Sequence, residues 1–335
     1  MSLTNKTILV TGGTGSFGHF IVRRLLDTDV GKIRVFSRDE KKHYDMRNHY
    51  AGEQRLHFML GDIRDRDRVR EVMTGCHVVI QAAALKQVLN CETHPYEAIR
   101  TNVIGMQNVI STALELCVEK VVTVSTDKAV KPVNVMGMTK ALQERLAVAA
   151  NNAPDNRGTK SCCVRYGNVM SSRGSAIPFF RHLASQHRPI TITHPEMTRF
   201  LLTLNDAIDL VLYALEQMHG GEIFIKKAPA VRIMDLARVV CAQRAVDFRY
   251  EVIGMLPGEK IHEILISEEE LPRAQDLGTY YVVQPHWQRL QCEEVKQEYC
   301  SNQHLLSSEA DIAALLMKSD DEFVRFGLQD GIFLK

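Results

Sequence analysis

The sequence predicts an α/β fold, a doubly wound parallel sheet followed by a smaller C-terminal domain. Short β-rich runs alternate with segments of helical periodicity through the first two-thirds of the chain. Alternation on this scale indicates a parallel sheet with helices on both faces. Beyond about residue 170 the alternation becomes irregular and prolines interrupt it. That change is typical of a second domain built from excursions off the sheet.

Six short apolar runs are predicted to form the strands of the sheet. Their nearly continuous apolar character is typical of strands that are covered on both faces. In chain order they are Thr7–Val10, Ile33–Phe36, Leu56–Leu60, His77–Gln81, Val121–Val124 and Ser161–Val164.

Helical patterns fill the intervals between these strands. After the first strand, Phe17, Ile21 and Leu25 recur at helical spacing. The other predicted helices are Asp65–Met73, Tyr96–Leu116, Gly137–Ala149 and, near the C-terminus, Glu309–Met317, with a loop at Asn151–Gly158.

The same pattern divides the chain. Residues 1–170, with a later return of the chain near 200–226, are predicted to form the sheet domain. Residues 171–199 and 227–284 are predicted to form the smaller domain, and 285–335 a C-terminal extension.

Composition excludes several classes of protein. The formal net charge is +1, so no global field draws the chain to nucleic acid or to an acidic membrane. The most apolar candidate span, Leu201–Leu215, contains Asp206 and Asp209, so no membrane span is expected. The first strand begins within about six residues of the N-terminus, which leaves no room for a signal peptide, and a cytoplasmic location is expected.

The eight cysteines form no Cys-x-x-Cys pair, and the histidines show no spacing typical of metal ligands. Reduced thiols and no metal are therefore expected.

A glycine-rich loop lies directly between the first strand and the first helix. It reads Thr11-Gly12-Gly13-Thr14-Gly15-Ser16-Phe17-Gly18. Glycines at Gly12, Gly15 and Gly18 suit a tight turn, close approach of a pyrophosphate and close helix–strand packing. Because the helix start presents free N–H groups to that pyrophosphate, the loop predicts a Rossmann-type dinucleotide site.

The end of the second strand indicates which dinucleotide binds. A carboxylate there would bond the ribose 2′-hydroxyl of NAD, whereas this chain has Ser37 and Arg38, with Lys41 close behind. A guanidinium and a hydroxyl suit the 2′-phosphate of NADP. NADP is therefore favoured over NAD, although Asp39 lies close enough to keep NAD open. Asp62 and Ile63 are expected beside the adenine, and Ala82, Ala83 and Ala84 along the cofactor.

The fifth strand is followed by Ser125-Thr126-Asp127-Lys128, and Met136 and Lys140 lie further on. Here the chain resembles the extended short-chain dehydrogenase/reductase family, which usually carries a Tyr-x-x-x-Lys pair. In that pair, the lysine lowers the pKa of the tyrosine that takes the substrate proton. Met136 stands where the tyrosine is expected, and a thioether cannot exchange that proton. The resemblance also implies that Lys140 bonds the nicotinamide ribose and that Asn102 contacts the cofactor.

Within that family the chain is similar to the inverting UDP-N-acetylglucosamine 4,6-dehydratases of capsule and O-antigen synthesis, whose capsular members also carry methionine at this position. The resemblance runs from about residue 5 to about residue 283. The stretches that carry it are Thr11–Gly18, Ser37–Lys42, Ala82–Val88, Glu97–Asn108, Ser125–Lys140, Arg165–Pro178, Thr191–Phe200 and Gly258–Lys260. The resemblance implies a homo-oligomer such as a hexamer.

This resemblance assigns roles at the strand end. A 4,6-dehydratase takes a hydride from C4 of the sugar, removes the C5 proton, expels the C6 hydroxyl and returns the hydride to C6. Asp127 is expected to be the acid at the C6 oxygen, Lys128 the base at C5, and Thr126 a hydrogen-bond partner of the C4 hydroxyl. Lysine can act as a base only if burial or a nearby cation lowers its pKa.

The resemblance also implies a UDP-sugar, UDP-N-acetylglucosamine or a relative, as the binding partner. Its expected contacts are Lys86, Asn168, Arg173, Arg199 and Glu259. Departures such as Leu89 for proline leave the identity of the sugar open. Two other functions also remain open, a UDP-hexosamine 4-epimerase and a non-catalytic sensor of NADP or of a sugar nucleotide.

Overall fold

A computed structural model describes residues 3–170, 175–288, 295–325, 328–329 and 332–333. Within these residues the strands are β1 (Thr7–Thr11), β2 (Lys32–Ser37), β3 (Leu56–Leu60), β4 (Val78–Gln81), β5 (Lys120–Val124), β6 (Lys160–Arg165), β7 (Asn168–Val169), β8 (Ile190–Ile192), β9 (Thr198–Leu202), β10 (Ile223–Lys226), β11 (Ala230–Arg232), β12 (Tyr250–Val252), β13 (Ile264–Ile266), β14 (Ala274–Leu277), β15 (Tyr280–Val283), β16 (Tyr299–Cys300), β17 (Leu328–Gln329) and β18 (Ile332–Phe333).

The α-helices of the described residues are α1 (Ser16–Leu26), α2 (Glu40–His49), α3 (Arg66–Met73), α4 (Val88–Thr93), α5 (Pro95–Ala98), α6 (Gly105–Glu115), α7 (Val135–Ala149), α8 (Ala176–Ser185), α9 (Leu204–Gln217), α10 (Ile233–Gln243) and α11 (Glu309–Arg325).

The large sheet has the order β14-β15-β10-β6-β5-β4-β1-β2-β3. From β3 to β10 every neighbouring pair is parallel, and β15 and β14 join antiparallel at one edge. α1 and α9 pack together on one face, and α3, α6 and α7 pack side by side on the other. The doubly wound parallel sheet is thereby confirmed. Its strand order reverses between β1 and β4, the position at which open α/β sheets bind ligands.

The six predicted strands are all present, each within one or two residues of its predicted bounds. The helices differ more. α2 was not predicted, because its sequence is polar throughout and has little apolar periodicity. The helix predicted over Tyr96–Leu116 is interrupted by a π-helical segment at Ile99–Ile104. The C-terminal helix extends to Arg325, beyond the predicted Met317.

The described residues form a large apolar core, a smaller one and a minor cluster around Met136. The larger one fills the sheet and its helices. The smaller one joins α8, α10, β8 and β9 to α11. The predicted domain boundaries stay a prediction, and within 227–284 the residues of β14 and β15 extend the large sheet. No helix in the described part of the chain has both the length and the apolar character to cross a bilayer.

Candidate functional site

The glycine-rich loop forms a tight turn at the end of β1. Gly12 has φ of 64°, and a Cβ placed on it would lie 2.9 Å from the backbone N of Ala83. A Cβ on Gly18 would lie 2.2 Å from the carbonyl oxygen of Gly13. Any side chain at either position would therefore force the loop, α1 and the end of β4 apart.

The start of α1 is suited to an anion. Gly15 precedes the helix and offers no capping side chain, so no side chain competes for the N–H groups of the first turn. Ser16 and Phe17 follow, both half-buried, and the first turn contains no acidic residue. A pyrophosphate fits such a helix start because the exposed N–H groups and the helix dipole both favour negative charge.

Thr11 joins the first and fourth strands at this edge. Its hydroxyl donates to Gln81 and accepts from the backbone N–H groups of Ala82 and Ala83, at 3.1 and 3.2 Å. Ala82, Ala83 and Ala84 are half-buried beside the glycine loop. The alanine segment therefore lies directly against the glycine loop, and its contact with the cofactor stays a prediction.

The end of β2 carries the groups predicted to select the dinucleotide. The hydroxyls of Ser37 and Thr14 lie 2.8 Å apart. Arg38 is half-exposed and reaches Asp62 over 3.5 Å, while Arg64 holds Asp62 more tightly, with a nearest contact of 2.8 Å. Burial opposes ionisation of Asp62, but its hydrogen bonds from Arg64 prevail and lower its pKa.

The neighbouring acid, Asp39, already has partners. Its carboxylate caps α2 by accepting from the backbone N of Lys42 at 3.0 Å, and it pairs with the Lys42 ammonium at 2.8 Å. Lys41 pairs with Asp45 on the exposed side of the helix. Asp39, the carboxylate that could have bonded the 2′-hydroxyl of NAD, therefore has a structural role at the start of α2.

Two predicted cofactor residues lie in the protein interior. Ile63 is buried against Gly105. Asn102 is fully buried, and its amide bonds both the N–H and the carbonyl of Leu85, at 2.8 and 3.0 Å, and the hydroxyl of Thr139 at 3.0 Å. The structure therefore makes Asn102 a link between the end of β4 and α7.

Thr126, Asp127 and Lys128 follow β5 directly, at the same edge of the sheet. Asp127 is completely buried, and its Oδ1 accepts from the Thr126 hydroxyl at 2.9 Å and from the Lys128 ammonium at 3.0 Å. Its other oxygen, Oδ2, has no hydrogen-bond partner in the described residues. An unpartnered carboxyl oxygen at this depth is costly unless a ligand or water meets it.

Glu263, a residue that was not predicted, lies on the other side of Lys128. Its Oε1 is 3.2 Å from the Lys128 ammonium and 3.9 Å from Nε of Arg199. Its Oε2 is 3.7 Å from the ammonium of Lys260 and has no hydrogen-bond partner in the described residues. The five side chains Asp127, Lys128, Arg199, Lys260 and Glu263 are named the ionic cluster below.

The ionic cluster shifts the pKa values of its members in different directions. Burial raises the pKa of Asp127, and the charge of Glu263 raises it further, against the opposing effect of Lys128. The pKa of Lys128 is also raised, because the attraction of the two carboxylates outweighs burial. A lysine base requires a lowered pKa, and Lys128 does not meet that condition in this structure, because no cation nearby outweighs its two acidic neighbours.

Lys260 and Lys140 do show the shift that a lysine base requires. Burial lowers the pKa of Lys260, which donates to the carbonyl oxygen of Val130 at 2.6 Å. Burial also lowers the pKa of Lys140 to about 8. Lys140 donates to the carbonyl oxygen of Val124 and to Gln143, so its ammonium lies at the end of β5.

Met136 is buried in a small apolar cluster with Cys91 and Ala98. The side chain that replaces the expected tyrosine is therefore part of the packing between α4, α5 and α7. The thioether and the apolar surroundings of Met136 offer no group for proton transfer, whereas the ionic cluster and Lys140 carry titratable groups at this edge.

The described residues that were predicted to hold the UDP moiety lie in four places. Asn168 lies on β7, and its buried Oδ1 has no hydrogen-bond partner among the described residues; Lys86 is exposed after β4. Glu259 lies in the loop before β13, where its carboxylate accepts from the backbone N of Leu256 at 2.9 Å. Arg199 belongs to the ionic cluster and donates to the carbonyl oxygen of Ile261 at 3.0 Å. Arg173 lies outside the described residues.

Sequence reasoning missed Glu263 and Lys260 as site residues. They are more than a hundred positions from Asp127 along the chain, and only the return of the chain before β13 brings them to the end of β5. The Gly258–Lys260 stretch was the one signal in that region, and it was interpreted only for Glu259. The described residues contain no group of side chains that would hold a metal ion.

Residues 8–285 match the family described as polysaccharide biosynthesis protein. The chain belongs to this family. A relative in Rickettsia canadensis, named UDP-glucose 4-epimerase, is 48% identical over 281 residues, which are 83% of this chain and 82% of that protein. Further Rickettsia relatives with the same name are 47–48% identical.

Solved structures share the fold with this member of the polysaccharide biosynthesis protein family. The X-ray structure of Pen from Bacillus thuringiensis has a TM-score of 0.90 and 34% identity, and the match covers 95% of this chain and 99% of Pen. The dTDP-glucose 4,6-dehydratase DesIV from Streptomyces venezuelae, solved with NAD bound, has a TM-score of 0.69 and 20% identity. That match covers 76% of this chain and 86% of DesIV.

Proposed function

We propose that the protein is an NADP-dependent UDP-N-acetylglucosamine 4,6-dehydratase that inverts C5 and acts in the cytoplasm in surface polysaccharide synthesis. The observation that carries the proposal is the buried Asp127 with its unpartnered Oδ2 beside Lys128. Epimerisation at C4 needs one group that exchanges the C4 hydroxyl proton, whereas dehydration needs in addition an acid at C6 and a base at C5. The end of β5 supplies an acid and a lysine together.

The protonation of Asp127 supports the acid role. Because burial and Glu263 raise its pKa, Asp127 holds a proton at higher pH than an ordinary aspartate. A neutral carboxyl group donates a proton to a leaving hydroxyl, as catalytic acids with raised pKa values do elsewhere. Thr126 then orients Oδ1, leaving Oδ2 for the substrate.

The arrangement around the glycine loop supports a nicotinamide dinucleotide, which supplies the hydride acceptor when bound. Gly12 and Gly18 let the loop pack closely on Ala83 and Gly13, and the exposed Gly15 leaves the start of α1 open for the pyrophosphate. Ser37 and Arg38 supply a hydroxyl and a guanidinium for a 2′-phosphate. NADP is the cofactor that these two residues favour.

The cofactor proposal is tested with Arg38→Ser. Loss of the guanidinium should weaken NADP binding on the order of 10- to 100-fold and leave NAD binding unchanged, because only NADP carries the 2′-phosphate. Isothermal titration calorimetry with each dinucleotide measures the two affinities. Arg66→Ser, an exposed arginine at the start of α3, is the matched control. Equal loss for both dinucleotides would contradict the 2′-phosphate role.

The activity is tested by a proton NMR time course with UDP-N-acetylglucosamine and catalytic NADP⁺ in D₂O. A C6 methyl signal, deuterium at C5 and the coupling pattern of an L-arabino ring are expected. Lys128→Ala should abolish the deuterium at C5. Intact substrate after long incubation would refute the proposal for this sugar.

A UDP-hexosamine 4-epimerase is the second candidate, because the relatives that are 48% identical are named UDP-glucose 4-epimerase. The same spectra distinguish it: an epimerase product keeps its C6 hydroxyl and differs only at C4. Methionine in place of the tyrosine at position 136 affects both candidates, because both reactions exchange the C4 hydroxyl proton. The acid and the lysine at the end of β5, which only the dehydratase needs, favour the first candidate.

A further inference from the structure

Two residues of the C-terminal extension, Glu298 and Ser301, form hydrogen bonds beside the ionic cluster. They lie beyond residue 285, where the match to the family ends. The strand between them, β16, pairs antiparallel with β13, which follows Glu263 directly. The extension therefore runs alongside the segment that brings Glu263 to the end of β5.

Ser301 binds both backbone polar groups of Glu263. Its hydroxyl accepts from the backbone N–H of Glu263 at 2.9 Å, and its own backbone N–H donates to the carbonyl oxygen of Glu263 at 2.9 Å. Because Ser301 is completely buried, bulk water does not compete for either bond. Ser301 thereby fixes the backbone of the residue whose carboxylate lies 3.2 Å from the ammonium of Lys128.

The hydroxyl of Ser301 also reaches β9, the strand that carries Arg199. The hydroxyls of Ser301 and Thr198 lie 2.6 Å apart, and the Ser301 hydroxyl lies 3.3 Å from the carbonyl oxygen of Thr198. Arg199 donates to that same carbonyl oxygen at 2.7 Å. One buried hydroxyl therefore connects β9 to the backbone of Glu263, and the charged groups of Arg199 and Glu263 lie 3.9 Å apart.

Glu298 binds the loop that follows Lys128. Its Oε1 accepts from the ammonium of Lys131 and, at 3.1 Å, from the backbone N–H of Glu268. Lys131 has φ of 42°, in the left-handed region that is unfavourable for a lysine. The ion pair with Glu298 therefore stabilises a strained turn just after Lys128.

We propose that Glu298 and Ser301 are positioning residues, and that the C-terminal extension thereby completes the ionic cluster. Ser301 holds Glu263 from one side, and Glu298 holds the loop of Lys128 from the other. Because the Coulomb energy varies inversely with distance and buried pairs are weakly screened, a small displacement of Glu263 alters the charge balance at Lys128. The consequence for catalysis rests on the dehydratase function proposed above, whereas the positioning is a property of the protein without substrate.

The first test needs no substrate. Protein labelled at the lysine ε carbon is titrated by NMR, and the Lys128 signal is assigned by its absence from Lys128→Arg. Ser301→Ala should lower the pKa of Lys128, because one of the two carboxylates that raise it against burial is released. An unchanged titration of Lys128 in Ser301→Ala would overturn the positioning role.

Tyr299→Phe is the matched control in the same segment. It also deletes a buried hydroxyl, one that accepts from the backbone N–H of Ala228 at 2.9 Å and donates to the carbonyl oxygen of Ala228 at 3.0 Å. Urea unfolding should show similar losses of stability in Ser301→Ala and Tyr299→Phe, whereas Lys128 should titrate as in wild type in Tyr299→Phe. Equal shifts of the Lys128 titration in the two variants would mean a general loosening and would refute the proposal.

Glu298→Gln tests the other side of the pair and decides the proposal if Ser301→Ala does not fold. Glu298 is partly exposed, and glutamine keeps its shape while the ion pair with Lys131 is lost. The pKa of Lys128 should fall here too, because the loop that holds Lys128 opposite Glu263 is released. Glu309→Gln, at an exposed glutamate paired with Arg238 at 3.1 Å, removes an equal charge and should have no effect. Wild-type titration of Lys128 in Glu298→Gln would contradict the role of Glu298.

The second test measures the pH dependence of turnover with UDP-N-acetylglucosamine. Ser301→Ala should lower kcat on the order of 10-fold, with KM nearly unchanged. The alkaline limb that Asp127 sets should shift to lower pH, because burial and the charge of Glu263 together raise the pKa of Asp127. Tyr299→Phe should keep the wild-type profile. A wild-type profile in Ser301→Ala would refute the role in catalysis, whereas absence of any product from the wild-type enzyme would refute the dehydratase proposal alone.

Discussion

At the residue scale, the proposed acid chemistry at the end of β5 centres on Asp127, whose carboxyl group has few hydrogen-bond partners. The residue is fully buried, and one carboxyl oxygen is shared by Thr126 and Lys128 while the other is unpartnered. A group in this position is expensive to bury, and such groups concentrate at functional sites.

Asp127→Asn tests that residue. The amide keeps the shape and an acceptor for Thr126 but cannot donate an acidic proton, so turnover should fall on the order of 100- to 10,000-fold. The NMR time course measures the loss, and circular dichroism checks the fold. Asp276→Asn, at an exposed aspartate paired with Lys227, should retain activity. A loss of less than about threefold in Asp127→Asn would exclude the acid role.

Lys140 gives a prediction for the pH dependence of stability. Its pKa is about 8 in the folded protein, against an ordinary value of 10.5. Below about pH 8 the amine of Lys140 is protonated in both the folded and the unfolded protein, and the folded protein bears the free-energy cost of the buried charge. Between this pH and 10.5 the unfolded chain binds more protons than the folded protein. The contribution of this group to the free energy of unfolding therefore rises with pH through this window, by about 3 kcal/mol in all.

Urea unfolding of wild type and Lys140→Met at several pH values measures this contribution. The free energy of unfolding of the wild type, relative to that of Lys140→Met, should increase between about pH 8 and the ordinary lysine pKa of 10.5. Lys32→Met removes an exposed lysine from the start of β2 and serves as the control. Parallel curves for wild type and Lys140→Met would show that Lys140 is not held in the neutral form.

At the element scale, the N-terminus of α7 is joined to the loop that carries Glu259. The Oδ1 of Asn134 caps the helix by accepting from the backbone N of Gly137 at 2.7 Å, and its amide donates to the carbonyl oxygen of Gly258 at 2.7 Å. One side chain therefore connects the start of α7 to the loop that carries Glu259.

Asn134→Ala should cost about 1–2 kcal/mol in the free energy of unfolding, because a helix cap is lost. It should also raise KM for the UDP-sugar, since Gly258 is released. Asp65→Ala removes the cap of α3, which accepts from the backbone N of Arg68 at 3.0 Å, and should cost similar stability without a change in KM. Urea titration and steady-state kinetics of both variants provide the comparison. Equal KM values would mean that the loop does not depend on Asn134.

At the scale of the whole molecule, α11 connects the two apolar cores. Ile312 and Leu316 are buried in the smaller core, while Phe323 packs on Phe20 of α1 with ring centroids 5.2 Å apart. Arg181 of α8 forms a two-point ion pair with Asp320 at 2.8 and 2.6 Å. The helix thereby links α8 of the smaller core to α1 of the larger core.

Phe323→Ala should lower the free energy of unfolding by about 3–5 kcal/mol, the usual cost of removing a buried phenylalanine side chain. Because the lost contact joins the two cores, the urea transition should also broaden or divide into two. Val324→Ala, at the next and exposed position, should change stability by less than about 0.5 kcal/mol. A sharp transition with the wild-type midpoint in Phe323→Ala would show that α11 does not couple the cores.

The sequence by itself determined the features that depend on local pattern. Apolar runs and glycine spacing located β1 to β6, the turn at Gly12 and the position of Thr126 to Lys128 after β5. This was possible because a buried strand needs a run of apolar residues and a turn with positive φ needs glycine, and both patterns are local. Only the tertiary structure decided the electrostatics of the site. Glu263 and Lys260 reach the end of β5 through the return of the chain before β13. The carboxylate of Glu263, together with that of Asp127, raises the pKa of Lys128 against the effect of burial. A pKa depends on burial and on charges within a few ångströms, and neither is encoded in sequence distance.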